Sequence, residues 1–222
     1  MSCARIYRVG APFNGSELSE VDYEQSADTM YFAHLNHAPT KLVRTDHTAW
    51  TFSSVNFAPT IAAPGSVAAT RTIGNSVTSG DTYFEQLAHY VVTAVDDLSG
   101  QESRASAPDD ATNDLTLKKN FNTITWGAVT GPPAATRYRI YKADNTQEFG
   151  YIGTTTSLSF TDDNIGPDYS DGPPVGEDTF AGDDDHPSTV TFFEQRLLWA
   201  RTNNHPNAIY GSRSGSFENM DI

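Results

Sequence analysis

The chain has 222 residues, enough for one or two domains, and only 37% of them are hydrophobic. Its 14 Lys and Arg against 28 Asp and Glu give a formal net charge of −14, which argues against a protein that grips nucleic-acid phosphates. The single cysteine, Cys3, excludes an internal disulfide and a cysteine-based zinc site. No apolar run approaches the length of about 18 residues that spans a membrane, so we expect a soluble protein without a membrane anchor or export signal.

The N-terminal part of the chain carries the signals of short strands separated by turns. Four strands are predicted before residue 56, at 4–9, 29–33, 41–44 and 46–52. The second and third form a hairpin, and the fourth places Trp50 and Phe52 on one face. Residues 56–79 lack periodicity and predict a connector. Because 12 Pro and 16 Gly also interrupt the chain often, an all-β fold is favoured.

The densest strand signals lie between residues 83 and 163 and predict a seven-strand β-sandwich. Six of its strands have clear bounds, at 89–96, 101–107, 122–127, 137–142, 150–154 and 157–161. Alternation in the first of these puts Tyr90 and Val92 on one face. In the fourth, alternation puts Tyr138 and Ile140 inside and Tyr141 outside, together with Arg137 and Arg139.

Five of these positions resemble those of a fibronectin type III module: Tyr90, Trp126, Tyr138, Ile140 and Phe160. In an ordinary module the strand of Phe160 (E) shortly precedes that of Tyr90 (F), whereas here Phe160 follows Tyr90 by 160 − 90 = 70 residues. The order F-G-A-B-C-C′-E therefore indicates a circular permutation opened in the usual E–F loop. Ends that lie close together suit insertion into a loop of another domain.

The predicted organisation is a discontinuous host domain interrupted by this sandwich. We expect the insert to cover residues 79–168 and the host to comprise 1–78 and 169–222. Residues 164–185, rich in Gly, Pro and Asp, predict a loop between the insert and the second host part.

The second host part contains a segment similar to the first hairpin. Without a gap, the alignment matches Met30 with Leu197, Phe32 with Trp199, and Leu42 with Ile209. The residues at 193–195 also echo those at 23–25. The similarity predicts a host built from repeated strand-turn-strand units, as in a propeller or related repeat sheet, with a chance match as the alternative.

Two groups of side chains raise the question of a metal site. His34, His37 and His47 are close in sequence, but residues three apart on a hairpin turn do not share a face as they do on a helix, which favours loop histidines. Residues 183–186, Asp-Asp-Asp-His, lack the spaced carboxylates of a calcium loop and predict a solvated acidic loop.

Two further motifs suggest catalysis only weakly. Residues 211–215, Gly-Ser-Arg-Ser-Gly, have neither the Gly-Lys ending of a phosphate loop nor the central serine of a nucleophile elbow, so a tight turn is favoured. Asp162 and Asp163 are adjacent on a strand and point to opposite faces, so they cannot flank one glycosidic bond. We therefore predict no catalytic, cofactor-binding or metal-binding residues and no enzymatic activity.

Two blocks of the host resemble the tail nozzle proteins of short-tailed bacteriophages, also called tail tubular protein B. The first contains DYEQSADTMYFAH and PTKLVRTDHTAW, and the second contains VTFFEQRLLWA and GSRSGSFEN. The resemblance implies a non-enzymatic virion tail protein, produced in the bacterial cytoplasm, whose full-length form assembles into a ring of about six copies. It also implies contacts with other tail or adaptor proteins, and viral DNA that passes through the ring without specific binding. Family members are usually much longer, so we expect this chain to be a fragment of a longer protein or the product of a truncated gene, and its assembly on its own to be impaired.

Two classes of function follow from this reasoning. In the first, the chain is a structural tail component that the fibronectin-like module decorates. In the second, the sandwich is a binding module that docks a host-surface glycan or another tail protein. An exposed groove of aromatic rings on the sandwich would favour binding, because sugars stack on such rings. A polar and featureless outer face would favour the structural role.

Overall fold

The computed structural model describes residues 7–74, 84–145, 148–177 and 179–221. Every element of regular secondary structure within these residues is a β-strand. The predicted all-β fold class is therefore confirmed. No helix long and apolar enough to cross a lipid bilayer occurs in this part of the chain. Of the strand predicted at 4–9, residues 4–6 lie outside the described residues, and residues 7–9 are not in a strand.

Fifteen strands are present in the described residues. They are β1 (Asp22–Ser26), β2 (Thr29–His34), β3 (His37–Asp46), β4 (Ala49–Ser54), β5 (Ala68–Thr72), β6 (Gln86–Asp96), β7 (Gln101–Glu102), β8 (Asp109–Asn113), β9 (Phe121–Thr125), β10 (Arg137–Asp144), β11 (Gly150–Thr155), β12 (Ser159–Asp162), β13 (Thr189–Phe193), β14 (Arg196–Ala200) and β15 (Ile209–Gly211).

The chain divides into two compact units. The first takes the described residues of Met1–Ala58 and Gly176–Asp221, and the second takes those of Pro59–Val175. The second unit thus begins earlier than the predicted residue 79 and ends later than residue 168. It begins earlier because β5, which lies in the predicted connector, pairs with β9. It ends later because Asp168 pairs with Tyr151 of β11 and Asp171 bonds to Arg139 of β10.

The first unit contains two antiparallel sheets, β1-β2-β3-β4 and β13-β14-β15. Its core combines residues from both chain segments: Tyr31, Ala33, Phe180, Val190, Leu197, Trp199 and Met220. Trp199 is fully buried, and its ring lies 6.3 Å from that of Tyr31, 5.8 Å from Phe57 and 6.2 Å from Phe180. The two segments therefore share one hydrophobic core.

The two similar hairpins correspond in their strands and turns. β1 begins at Asp22 and β13 at Thr189, which is the offset of the sequence alignment (189 − 22 = 197 − 30 = 167). Each hairpin has a two-residue turn with a positive φ at its first residue, Ala27 and Glu194. The echo between residues 23–25 and 193–195 is not an equivalence, because the first triplet lies within β1 and the second enters the turn.

The buried faces of the two hairpins do not correspond. Leu197 and Trp199 are fully buried, whereas their matches Met30 and Phe32 are only half-buried and it is Tyr31 that enters the core. The third strands also differ. Leu42 pairs opposite Met30, but Ile209 pairs opposite Ala200, three positions away in register from its expected partner. The similarity therefore describes the local hairpin rather than the way it packs.

The second unit is the predicted β-sandwich. One sheet has the order β11-β10-β6, with both β7 and β8 on the far edge of β6, and the other has the order β12-β9-β5. Between them lie Tyr90, Val92 and Ala94 of β6, Ile124 and Trp126 at β9, Tyr138 and Ile140 of β10, and Phe160 of β12. The inward positions predicted from alternation are therefore confirmed.

The strand pairing also agrees with the permuted order. Phe160 lies opposite Ile124, which joins E to B, and Tyr138 lies opposite Ala94, which joins C to F. The position of strand A differs from the prediction. The described residues between β8 and β9 contain no strand, and the other neighbour of β9 is β5, which precedes β6 in the chain. The order is therefore A-F-G-B-C-C′-E.

One outward prediction in the sandwich is wrong. Tyr141 was expected on the outside of β10, but it is fully buried. The guanidinium of Arg139 lies 5.3 Å from its ring, the Tyr151 ring stands 6.0 Å away, and its hydroxyl donates to Glu102 at 2.7 Å. Alternation predicted its face correctly, but it could not predict that neighbouring polar side chains cover that face.

Candidate functional site

The two histidines of the first hairpin lie side by side. His34 ends β2 and His37 begins β3, so they are paired across the hairpin and their ring centroids are 5.1 Å apart. The expectation that they do not share a face was therefore wrong, because both belong to the strand ends rather than to the turn. His47 lies between β3 and β4, away from this pair in the sheet.

Two carboxylates of the preceding turn face these histidines. Glu17 Oε2 lies 3.0 Å from His37 Nε2, and Glu20 Oε2 lies 3.7 Å from the Nε2 atom of the buried His34. The backbone N–H of Asn14 and then the His37 ring hold the pKa of Glu17 below its usual value. Within the described ranges, no three or more His, Cys, Asp or Glu side chains are arranged to hold a metal ion.

The acidic loop at residues 183–186 is tied to a neighbouring turn. Asp184 accepts a hydrogen bond from the Asn203 amide at 3.2 Å, and Asp185 accepts one from Asn204 at 2.9 Å. These two carboxylates therefore have separate amide partners rather than a shared one. The amide bonds give this loop a structural role, which sequence reasoning did not assign.

The segment at 211–215 forms a turn that closes against β14. The Ser212 hydroxyl accepts the backbone N–H of Leu197 at 2.9 Å and is fully buried. Gly215 has a φ of 74°, in the left-handed region that glycine adopts without strain. The predicted tight turn is what the geometry shows, and the serine in it holds strand β14 in register.

Asp162 and Asp163 lie on opposite sides of the chain, as predicted. Asp163 is exposed, whereas Asp162 is completely buried. The Asp162 carboxylate accepts the Tyr90 hydroxyl at 2.8 Å and pairs with Lys142 Nζ at 3.2 Å. Burial and then the Asp162 charge raise the pKa of Tyr90, so the hydroxyl stays protonated and donates. This is a link between the two sheets, since Asp162 belongs to β12 while Tyr90 and Lys142 belong to β6 and β10.

The polar group around Asp162 extends across the sandwich. Lys142 also donates to the Ile165 carbonyl at 2.6 Å, Asn122 donates to the Tyr90 hydroxyl at 2.8 Å, and Asn113 donates to Asn122 at 3.0 Å. Sequence reasoning missed Lys142. The period of two that placed Tyr138 and Ile140 inside also places Lys142 inside, and an inward lysine needs a buried carboxylate.

The outward face of the β12-β9-β5 sheet is polar. Cross-strand pairing groups six hydroxyl side chains there, namely Thr70, Thr72, Thr123, Thr125, Ser159 and Thr161. These short side chains offer hydrogen bonds but no flat apolar ring. Phe121 lies opposite Thr72 on the same face and is half-buried, so the sheet presents a hydroxyl surface with one partly covered ring at its edge.

The outward face of the other sheet contains rings, but they have partners. The Arg139 guanidinium lies 4.8 Å from the Tyr151 ring and 5.3 Å from the Tyr141 ring, so it occupies the space between them. Arg139 also pairs with Glu102 at 2.9 Å and with Asp171. A sugar would have to displace this guanidinium in order to stack on either ring.

Many basic side chains of the described residues are engaged by carboxylates. The pairs are Lys41–Glu218, Arg44–Asp28, Arg71–Glu85, Arg137–Asp97, Arg139–Glu102 and Lys142–Asp162. The adjacent Lys118 and Lys119 are exposed on the turn before β9. These pairings reduce the positive potential that a phosphate backbone would meet.

A second exposed feature lies on the first unit, where two hollows share Trp50 and His47. One, of about 320 Å³, is lined by Gln25, Asp28, Met30, Leu42, Arg44, His47 and Trp50. The other, of about 450 Å³, is lined by Tyr7, Val9, His47 and Trp50. Sequence reasoning placed Trp50 on a face with Phe52 but assigned it no role.

Comparison with known proteins finds no family model that matches the chain and no significantly similar curated protein.

Proposed function

We propose that the chain is a non-enzymatic structural protein of a bacteriophage tail, a part of the nozzle ring through which the genome passes. In this proposal the first unit belongs to the ring and the sandwich decorates it. The two-part first unit with a permuted sandwich between its parts agrees with the organisation predicted from the order of the strand motifs, and the two blocks that resemble nozzle proteins both lie in the first unit.

One observation favours this role over a glycan-binding sandwich. The outward faces of the sandwich combine a hydroxyl surface on one sheet with rings that Arg139 already occupies on the other. On the first face the ring of Phe121 is half-buried, and on the second Arg139 covers the rings, so neither described face offers an exposed groove of aromatic rings. A decoration domain requires a folded, soluble surface, and these faces supply it without a stacking site.

The internal links of both units suit a component of a particle that is under mechanical stress. In the sandwich, Lys142, Asp162 and Tyr90 join the two sheets. In the first unit, Glu218 bonds to Lys41 Nζ at 2.6 Å and to Tyr31 Oη at 3.0 Å, which joins the two chain segments. Links of this kind oppose separation of the sheets and of the segments.

The proposal is tested by assembly of the purified full-length protein, because the ring is expected of the longer parent rather than of this chain alone. Native mass spectrometry over a range of concentrations and negative-stain electron microscopy should show closed rings of about six copies, because identical head-to-tail contacts close into a ring. A species that stays monomeric at every concentration would contradict self-assembly. Open filaments would show head-to-tail contact without the closure that a nozzle needs, and they would contradict the ring.

The alternative class, a binding module, is favoured by a different observation, namely the hollows beside Trp50 on the first unit. They lie outside the sandwich to which the glycan-docking hypothesis was attached.

A further inference from the structure

The outer face of the β1-β2-β3-β4 sheet carries an apolar floor. Met30 lies opposite Leu42, Leu42 lies opposite Phe52, and Arg44 lies opposite Trp50, so their side chains share one face of the sheet. This is the face opposite to Tyr31, which enters the core of the first unit. The sheet therefore places an indole ring, a thioether and an aliphatic side chain beside a hollow that opens to solvent.

A hydrogen bond to the backbone holds the Trp50 ring in place. Its indole N–H donates to the His47 carbonyl at 3.1 Å, which fixes one edge of the ring against the β3–β4 turn. Both hollows border this ring and His47. The Arg44 guanidinium lies 5.9 Å from the ring centroid and lines the first hollow but not the second, so a sugar reaches the indole face from the second hollow. Each volume falls near the lower end of the range of about 300–1,000 Å³ for ligand sites, which suits a small ring in each.

Polar groups surround the apolar floor. Asp28 Oδ1 and Arg44 Nη1 are 3.2 Å apart, and their side chains are 65% and 39% exposed, so both keep hydrogen-bonding capacity toward solvent. The Gln25 amide N–H donates to the Ala27 carbonyl at 2.8 Å, which fixes the amide at the rim of the hollow. A carboxylate, a guanidinium and a side-chain amide are thus within one hollow with an indole.

This combination matches the chemistry of a sugar ring, which has an apolar C–H face and hydroxyl groups at its edge. The indole would take the C–H face, and the Asp28, Arg44 and Gln25 groups would bond to hydroxyls. The Asp28–Arg44 pair is formally neutral and the chain has a net charge of −14, so a polyanionic ligand is disfavoured. We propose that these hollows form a binding site for a short uncharged oligosaccharide, with Trp50 as its stacking platform.

This inference is independent of the ring proposal, because a monomer and a ring could both present the site. Sequence information alone did not reveal it, since it depends on Gln25, Asp28, Arg44 and Trp50 from four strand ends and turns. The competing ligand is a nucleotide, whose base also stacks on indole. The negative charge of its phosphate makes a nucleotide the poorer match.

The test uses the indole N–H signals of the whole protein in ¹⁵N-correlated NMR spectra. The chain has 3 Trp, and Trp126 and Trp199 are buried, so the signal of Trp50 reports the site and the other two report the fold. Maltohexaose, cellohexaose and chitohexaose are titrated to about 10 mM. This concentration saturates a weak site with a Kd of about 1 mM. We expect at least one of them to shift the Trp50 signal saturably while the Trp126 and Trp199 signals stay in place.

Variants separate stacking from nonspecific contact. Trp50→Ala should abolish saturable binding, followed through the sugar signals, and Arg44→Met should weaken binding by about tenfold, equal to 1.4 kcal/mol. Tyr23→Ala is the matched control, because Tyr23 is 61% exposed on the same sheet face but lines neither hollow. It should leave the Kd unchanged within about twofold, a difference well below 1 kcal/mol.

Several outcomes would overturn the inference. These are no Trp50 shift with any of the three sugars, binding that survives Trp50→Ala, or tighter binding of adenosine monophosphate or dextran sulfate than of the neutral sugars. If Trp50→Ala also moves the Trp199 signal, Trp50→Phe replaces it, since phenylalanine keeps an aromatic face. That variant should retain binding with a Kd raised by less than about tenfold.

Discussion

The two units bury their tryptophans in different ways. Trp126 lies in a core built from one stretch of chain, Pro59–Val175, whereas Trp199 lies in a core that needs both Met1–Ala58 and Gly176–Asp221. In the first unit the bond from Tyr31 to Glu218 spans 187 positions. Local alternation therefore describes most of the sandwich core, but the first core depends on contacts that no local pattern contains.

The largest effect should come from Trp199→Ala. Its ring is fully buried against Tyr31, Phe57 and Phe180, which lie in both chain segments, so the cavity would weaken their association. We expect a loss near the upper end of about 3–5 kcal/mol in the free energy of unfolding, measured by denaturant titration. NMR signals of β1–β4 should broaden first. A loss below about 1 kcal/mol would show that the two segments do not depend on this ring.

Trp126→Ala is the matched change in the sandwich. Trp126 is 5% exposed and packs on Tyr138 at a ring distance of 5.4 Å, so its removal empties a site in the contiguous core. The expected loss is again about 3–5 kcal/mol. The two variants differ in location, because here the signals of β6 and β10 should change while those of β13 and β14 stay. Equal perturbation of all four strands would contradict separate cores.

The polar links of the two units should differ in magnitude. Lys142 is 3% exposed beside a fully buried carboxylate, so Lys142→Met leaves Asp162 without its cation and should cost about 3 kcal/mol. Lys41→Met is the control, because Lys41 and Glu218 are 22% and 24% exposed and water can compensate, for a loss of about 1 kcal/mol. The double change Lys142→Met with Asp162→Asn should recover part of the larger loss, because the amide oxygen still accepts the Asn164 and Ile165 N–H groups while the buried charge is removed. Equal losses in the two single variants would refute the distinction.

Acid should affect the two units at different pH values. Burial lowers the pKa of His186 in the first unit, an effect that His37 strengthens and Asp183 opposes. The unfolded chain therefore binds this proton more readily, and the contribution of His186 to stability is lost as pH falls below about 6.5. In the second unit, hydrogen bonds lower the pKa values of Asp96, Asp97, Asp114 and Asp168. Their contribution is present above about pH 4 and is lost only below it.

This difference can be measured from unfolding midpoints between pH 7 and pH 3, followed separately through the Trp199 and Trp126 indole signals. His186→Gln should flatten the upper part of the profile for the first unit and leave the sandwich unchanged. Asp168→Asn should act only at the acid end and only on the sandwich. A profile for His186→Gln that keeps its slope near pH 6 would show that other groups set the acid sensitivity.

The sequence predicts strands better than it predicts what covers them. Alternation correctly placed Tyr90, Tyr138 and Ile140 inside the sandwich, and the permuted pairing of Phe160 with the Trp126 strand followed from the order of motifs. Tyr141 was misplaced because its cover comes from Arg139 and Glu102, whose positions depend on tertiary contacts.

The candidate sites show the same limit. The neighbouring pair His34 and His37 followed from hairpin register, which depends on turn length rather than on composition. β5 was missed because its short Ala-Ala-Thr-Arg-Thr sequence lacks a hydrophobic period and forms a strand only by pairing with β9. The Trp50 hollows require residues from four places in the first unit to meet, which no single motif specifies.

The smallest expected effect is on duplex DNA, which should not bind measurably at physiological salt. Nonspecific affinity comes from counterion release by Lys and Arg, with a Kd of about 10⁻⁴–10⁻⁶ M even for suited proteins. Here 14 basic residues face 28 acidic ones, and six ion pairs already engage basic side chains in both units.

We therefore expect that neither unit binds duplex DNA. A genome that does not adhere to the wall of a conduit can move through it. Lys118 and Lys119 are adjacent and exposed on the sandwich, so Lys118→Glu with Lys119→Glu is the informative variant. A fluorescence titration in about 0.15 M salt should show no saturation for the parent or the variant. Saturable binding of the parent tighter than about 1 μM would contradict the passive conduit. Its loss in the variant would locate the contact on the sandwich, whereas its persistence would assign it to the first unit or to other basic residues.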